Sequence, residues 1–370
     1  MGDRRYTVDF ARLRAGDREI AGGKCASLGE LIAAGLPVPG GFAVTVAAFE
    51  DFRDASALRD ELGEIVRGAA AGDAGASALQ SAHERAAALI MDRPLPSAIE
   101  REIREAYLEL SRTVAGARGT GGEQGVAVAV RSSAVDEDGD AASFAGQQET
   151  FLWVVGADEV VAKVRECWAS LYTPQAIAYR SSMEAADGAA ASRISVAVQV
   201  MAEADVAGVT FTVSPSTGDR SVVAINASYG LGQAVVSGEV TPDEYRLSKA
   251  DLRITSARIA EKGHEYVPAA DHRGVVLREV ERARREVAAL SDDEVRLVAE
   301  IGLRVEAHYG CPQDIEWALE RRADGEVAVM LLQARPETNW KKRREEQKAQ
   351  PVPGAGLLGF LAAATTGKKS

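Results

Sequence analysis

Histidine and cysteine are scarce in this 370-residue chain, with four of the first and three of the second. Cys25, Cys167 and Cys311 stand far apart, and there is no Cys-X-X-Cys pair and no Cys/His cluster. That spacing indicates neither a zinc site nor a disulfide framework, and it suits a reducing cytoplasm. Positive charge is in deficit as well: 43 Lys and Arg stand against 55 Asp and Glu, for a formal net charge of −12. A nucleic-acid binder normally carries a basic face, so the balance argues against that class. A local group of basic side chains can still bind an anion inside an acidic protein. No apolar run approaches the ~18 residues of a membrane span. The opening MGDRRYTVDF has no apolar stretch of the kind a signal peptide needs. The expectation is a cytoplasmic protein with neither a nucleic-acid nor a membrane partner.

What is present is the composition of an ordinary soluble enzyme, 46% apolar and 26% charged. The length suits two to three compact units. Residues 25–34 read as a short helix, with Leu28, Leu31 and Ile32 on one face and Gly35 at its end. FAVTV (42–46) reads as a strand. Residues 47–112 are helical in character, interrupted at DRPLPS (92–97). AGARGTGGEQG (115–125) has the composition of a flexible linker. VAVAVRSS (126–133) reads as a buried strand, followed by a Gly-, acid- and Ser-rich loop as far as Gln147. Residues 158–183 read as helix, and EAADGAAAS (184–192) as a seam between two lobes. Strands dominate from residue 194: ISVAVQVM, AGVTFTVSP, SVVAINAS, EYRLS and RITSARIAEK. Ser291 and Glu294 form a capping-box pattern, Val298, Ile301 and Val305 supply an apolar face, and Gly310 and Pro312 stop that helix. Mixed strands and helices in two lobes give an α/β or α+β class. The expected units are 1–190, 191–340 and a charged, flexible tail over 341–370.

The last hairpin is the most informative segment. In DIEWALE (314–320), Ile315, Trp317 and Leu319 share one face, while Asp314, Glu316 and Glu320 share the other. Asp324-Gly325 suits a two-residue loop. With that loop, Glu316 lies opposite Gln333 and Asp314 opposite Arg335, with Cβ atoms roughly 5 Å apart. A carboxylate and a carboxamide oxygen suit Mg²⁺, which takes few protein ligands beside phosphates and water. The adjacent arginine suits a phosphate oxygen. The same pattern also suits a polar sheet face with an ordinary Asp314–Arg335 pair, and a bulge in the longer RRADG turn would break the register.

Three weaker features accompany it. Gly22-Gly23-Lys24 precedes the first helix, where backbone N–H groups and a lysine can meet an anion; taken alone, it reads more readily as a surface turn. Arg131, in Arg131-Ser132-Ser133, ends a buried strand and either projects toward a ligand or pairs with Asp136 or Glu137. The glycines of YGLGQAVVSGEVTPDEY (229–245) permit close backbone approach, but such runs are common in turns. VAVQVM (196–201) reads as a candidate edge strand whose backbone can line a purine.

Taken together, these stretches resemble the N-terminal nucleotide-binding domain of the phosphoenolpyruvate synthase and pyruvate phosphate dikinase family. The matching segments are GGKCASLGELIAAGLPVPGGFAVT, VAVRSSAVDEDGDAASFAGQQETFL, GVTFTVSP, YGLGQAVVSGEVTPDEY, PQDIEWAL and LLQARPET, in family order over about residues 15–338. The resemblance implies a two-lobed ATP-grasp-like fold with ATP between the lobes. It implies that Lys24 and Arg131 bind ATP phosphates, Glu316 and Gln333 hold Mg²⁺, Arg335 contacts the transferred phosphates, and the strand around Gln199 to Met201 flanks the adenine.

Enzymes of this family pass the β-phosphate of ATP to a histidine on a swivelling domain, leaving AMP and inorganic phosphate. That histidine lies in a TSHAA-like motif, and none of the four histidines here fits it; they fall in AHERA, GHEYV, DHRGV and AHYGC. His264 and His272 read as surface residues and His308 as structural. The expectation is a stand-alone ATP-binding subunit, like that of phenylphosphate synthase. A separate chain would carry the phosphohistidine swivelling domain and the acceptor-binding domain. The alternatives are a self-sufficient ATP-grasp kinase or ligase forming ADP, and a non-catalytic nucleotide-binding interaction protein.

Overall fold

The computed structural model describes residues 5–70, 75–118, 125–135, 149–178, 193–271, 273–322 and 324–337. The expected lobe boundary at 190/191, the seam at 184–192, the loop over 136–148, His272 and the 341–370 tail lie outside these residues.

The first sheet joins β1 (Thr7–Asp9), β2 (Gly41–Val44), β3 (Val128–Ala134), β4 (Thr150–Val154) and β5 (Ile194–Val200) in the order β1-β2-β5-β3-β4. Every pairing in it is antiparallel. β5 is therefore a central strand, not the edge strand expected from its alternation. Its ISVAVQV run is buried at every position because β2 and β3 take both its edges and side chains cover both its faces.

Helices α1 (Arg18–Ala33), α2 (Val46–Ala55), α3 (Leu58–Ala70), α4 (Ala76–Asp92), α5 (Ser97–Arg118) and α6 (Ala157–Ala169) accompany this sheet. The break between α4 and α5 falls at the expected proline-rich step. The single helix expected over 158–183 is instead broken. α6 ends at Ala169, a short 3₁₀ turn follows over Ser170–Tyr172, and Thr173 is extended with ψ 154°. The reason is Pro174, whose ring disfavours helical geometry in the residue before it. Trp168 is fully buried here and stacks on Phe52 at 5.5 Å between ring centroids.

Met201–Asp205 leads from β5 into a second antiparallel sheet. Its strands are β6 (Val206–Phe211), β7 (Val222–Tyr229), β8 (Asp243–Ser248) and β9 (Ile254–Arg258). After a separate ribbon of β10 (His264–Pro268) and β11 (Val275–Glu279), the chain continues into α7 (Asp292–Tyr309), β12 (Gln313–Arg321) and β13 (Val327–Pro336). The sheet order is β13-β12-β6-β7-β8-β9.

α7 begins as its sequence requires. Ser291 Oγ accepts the Glu294 amide, and Glu294 accepts the Ser291 amide in return. Its apolar face meets Ile315, Trp317 and Leu319 in the second core. Burying each such large side chain is worth about 1.5–3 kcal/mol.

α1 ties the two sheets together. Leu28 packs beside Ala43 and Ala197 of the first sheet, whereas Leu31 belongs to the second core. Ser27 Oγ donates to the Ala334 carbonyl at 2.8 Å, and the Leu331 amide donates to the Pro37 carbonyl at 2.7 Å. The Cys25 amide also donates to Ser133 Oγ of β3, so α1 fixes β3 against the β12–β13 hairpin. Among the described residues no helix is long and apolar enough to cross a membrane.

Candidate active site

Between the two sheets lies a cleft of about 320 Å³. One end is apolar: Ala129, Met201 and Leu231 are buried together, with Leu152, Ala204 and Tyr266 packed against them. The other end is polar, and its centre is Arg131. Arg131 Nη2 lies 2.8 Å from Gln333 Oε1 and 3.1 Å from Glu316 Oε2, and Nη1 donates to the Leu332 carbonyl at 3.2 Å. One side chain from the first sheet thus reaches three groups on the last hairpin of the second. Among the described residues no group of three or more His, Cys, Asp or Glu side chains is arranged to hold a metal. A convergent carboxylate and carboxamide is a smaller donor set, of the size that Mg²⁺ uses when phosphates and water fill the remaining positions.

The register behind this arrangement holds where it was expected to, but for a different reason. Glu316 pairs with Gln333 and Asp314 with Arg335. At the turn, however, Arg321 pairs with Val327, and the Arg322 amide donates to the Glu326 carbonyl. Asp324-Gly325 therefore does not form a two-residue loop, and the pairing there is one residue away from expectation. A bulge between Trp317–Leu331 and Glu316–Gln333 restores the difference by leaving Leu332 out of the ladder. Leu331 and Ala334 both belong to the second core, and the two residues between them turn away from it. Leu332 lines the cleft, and Gln333 meets Arg131. The bulge itself carried no signal in the sequence.

The remaining expected residues fall around this centre. Lys24 Nζ donates to the carbonyl of Ser132, the neighbour of Arg131, at 3.0 Å. Its position depends on Gly22, which bends the start of α1 with φ +71° and sits so close to Ser133 that a Cβ would lie 2.2 Å from the Ser133 carbonyl oxygen. Gln199 and Met201 line the cleft at the end of β5. Gln199 is 2% exposed, and its Nε2 has no partner among the described residues. The Met201 amide already donates to the Ala127 carbonyl at 2.9 Å.

Arg335 is not part of the Arg131 cluster. It lies two residues along β13 and holds Asp314 at 2.8 Å. Burial, reinforced by Glu316 and Glu337, pushes the Asp314 carboxyl up to about 6, and the Arg335 guanidinium offsets only part of that rise. Lys24, Gln333 and Arg335 do not line the cleft itself.

Several lining residues went unread in the sequence, among them Thr150, Leu152 and Ala204. The YGLG stretch was the available signal for Leu231 and Gly232. Gly230 has φ +72°, and the Leu231 amide binds the Tyr266 carbonyl, which brings the β10–β11 ribbon over the apolar end. The three described histidines are elsewhere: His83 Nδ1 contacts the Tyr172 carbonyl, His264 is exposed, and His308 Nε2 lies 2.8 Å from Glu30.

A two-sheet cleft with one apolar and one charged end is the form of a small-molecule site in an α/β protein. The comparisons name the family. Residues 18–354 match the model of the pyruvate phosphate dikinase AMP/ATP-binding domain, and the chain belongs to that family. It is 38% identical to a probable phosphoenolpyruvate synthase of Staphylothermus marinus, over 94% of this chain and 43% of that protein. It is 42% identical to one of Methanocaldococcus jannaschii, over 90% of this chain and 27% of that protein. It is 38% identical to the phosphoenolpyruvate synthase of Pyrococcus furiosus, over 96% and 46% respectively. The chain thus spans less than half the length of these three relatives. It is an AMP/ATP-binding domain of that family, with an ATP-grasp-like fold.

Proposed function

We propose that this chain is the phosphoryl-donating half of a dikinase-type phosphotransferase. It would pass the β-phosphate of ATP to a carrier histidine that residues 1–370 do not supply. The observation that carries the reading is the Arg131 cluster at the charged end of a cleft whose other end is apolar. The adenine would occupy the apolar end, beside Gln199 and Met201. The Gln199 Nε2 offers it a donor that no described residue uses. The phosphates would lie toward Arg131 and Lys24, with Arg335 contacting the transferred groups.

Glu316 and Gln333 fit a Mg²⁺ ion. Their oxygens converge on one cationic nitrogen within 3.1 Å, so both can serve a single positive centre. When bound, the metal would supply neutralisation of phosphate charge. The rest falls to the chain's own residues. Arg131 and Lys24 would hold the phosphate oxygens from the middle of a rigid strand, not the strand end expected for Arg131, and from α1 just past its kink at Gly22, and Arg335 would meet charge that develops during transfer. Fixed cations in a cleft of low polarity need no reorganisation as that charge moves. In balance, an imidazole nitrogen of the carrier takes the β-phosphoryl group and AMP departs. The γ-phosphate leaves as inorganic phosphate with the consumption of one water.

The carrier is expected on a swivelling domain, on a separate chain that also binds the acceptor. The greater length of the relatives supports a requirement for further domains. The test is to mix this protein with candidate histidine-bearing domains and labelled ATP. AMP that appears only with a carrier supports the reading. Substrate-dependent ADP without any carrier overturns it in favour of a self-sufficient kinase. Failure to bind Mg·ATP in calorimetry leaves a non-catalytic interaction protein.

A further inference from the structure

Arg131 occupies, with one nitrogen, both oxygens that the reading above gives to the metal. Its side chain is 13% exposed and that of Glu316 is 23% exposed, so this is not a solvated surface pair. The guanidinium is committed along one edge, to Glu316, Gln333 and the Leu332 carbonyl, while its buried Nε meets no acceptor among the described residues.

We propose that Arg131 is an internal counter-ion, a resident cation that holds the metal donors until the phosphates of a nucleotide draw it away. The inference rests on Glu316 and Gln333 being the metal ligands. Two physical constraints lead to it. First, a dication taking both oxygens while Arg131 stayed in place would set like charges side by side in a partly buried site, where screening is weak. The next carboxylate along β12, Asp314, is already held by Arg335 at 2.8 Å and offers Arg131 no ready substitute. Second, phosphate oxygens are the acceptors that a guanidinium fork matches best, and they would satisfy the buried Nε as well. Nucleotide therefore exchanges partners with the cluster: phosphate takes Arg131, which frees Glu316 and Gln333. Metal and nucleotide each raise the other's affinity by the same factor, as linkage requires. Metal alone binds poorly, and the cleft bridges its two sheets through Arg131 whenever nucleotide is absent.

The experiment is a titration of the protein with Mn²⁺ alone, read from the spin-resonance signal of free Mn²⁺, with and without a non-hydrolysable ATP analogue. The expected result is weak Mn²⁺ binding by the nucleotide-free protein and at least tenfold tighter binding with the analogue. Arg131→Met should bind Mn²⁺ without nucleotide at least tenfold more tightly than the native protein, with Arg131→Gln as the alternative should the Met variant fail to fold. Equal Mn²⁺ affinity in native protein and variant overturns the counter-ion. So does native protein that binds Mn²⁺ as tightly without the analogue as with it, whatever the variants do. Mn²⁺ binding in the analogue complex that survives Glu316→Ala unchanged overturns the metal assignment itself, which separates that failure from the first two.

Discussion

Glu316 stands directly across β12 and β13 from Gln333, and Arg131 of the facing sheet closes on both at 3.1 and 2.8 Å. The bulged Leu332 beside them contributes its carbonyl to the same guanidinium. Deleting Leu332 should leave the two flanking pairs in register, because Trp317–Leu331 and Glu316–Gln333 already align on either side of it. It should remove one of the three acceptors that hold Arg131. The expected outcome is a folded protein whose ATP affinity falls about tenfold, or ~1.4 kcal/mol, by calorimetry. An unchanged dissociation constant would show that the bulge does not serve the site.

Gly22 tests how tightly the start of α1 is fitted to β3. A Cβ there would lie 2.2 Å from the Ser133 carbonyl oxygen and 2.4 Å from Ser133 Oγ, at a φ of +71°. Overpacking and left-handed strain together should make Gly22→Ala cost about 3 kcal/mol or more in denaturant unfolding. Gly16→Ala, with open space around its Cβ, should stay within about 0.5 kcal/mol. Equal effects at the two positions would contradict the fit.

Lys262 and Asp243 form a fully buried ion pair at 2.6 Å. Asp243 also accepts the amides of Ala260 and Ala289, so it anchors the segment that leads into the β10–β11 ribbon over the cleft. Lys262→Met leaves that carboxylate buried without its cation and should cost about 3–5 kcal/mol. Adding Asp243→Asn should recover part of the loss, which a double-mutant cycle in urea would measure. Strict additivity would refute the coupling.

Glu30 links α1 to its surroundings on two sides. Its carboxylate accepts the Ala15 amide at 3.1 Å and lies 2.8 Å from His308 Nε2. The Ala15 amide, helped by His308, holds its pKa below the ordinary 4.5. The unfolded chain therefore binds the more protons near that value, and stability from Glu30 is present above it and is lost as pH falls through the folded pKa. Glu30→Gln should remove this term. The gap between native protein and variant, about 1 kcal/mol at neutral pH, should close on acidification in urea melts between about pH 3 and 7. A gap that does not change with pH would contradict the assignment.

The local chemistry of this fold was readable from sequence because it is set within a few residues. The Ser291–Glu294 capping box, the left-handed Gly310 after α7, and the break at the prolines before α5 all follow from side-chain and backbone preferences. Strand order is not local. Nothing within ISVAVQV distinguishes an edge position from the centre between β2 and β3, since that depends on pairing with residues far away in sequence. The site sits between these cases. Glu316 and Gln333 were brought together by alternation, but through a turn and a bulge whose departures cancel, and alternation contains neither. Arg131 joins them only because α1 ties β3 to the hairpin, a packing relationship that no motif spacing encodes.

The central claim is that Glu316, with Gln333, couples metal to nucleotide in this cleft. It is tested most directly by calorimetric titration of ATP into native protein and Glu316→Ala, each with and without Mg²⁺. The account predicts that Mg²⁺ tightens ATP binding at least tenfold (~1.4 kcal/mol) in the native protein. It predicts no such gain in the variant, whose melting temperature should stay close to native because a ligand and not core volume has been removed. An equal Mg²⁺-dependent gain in both proteins would contradict it.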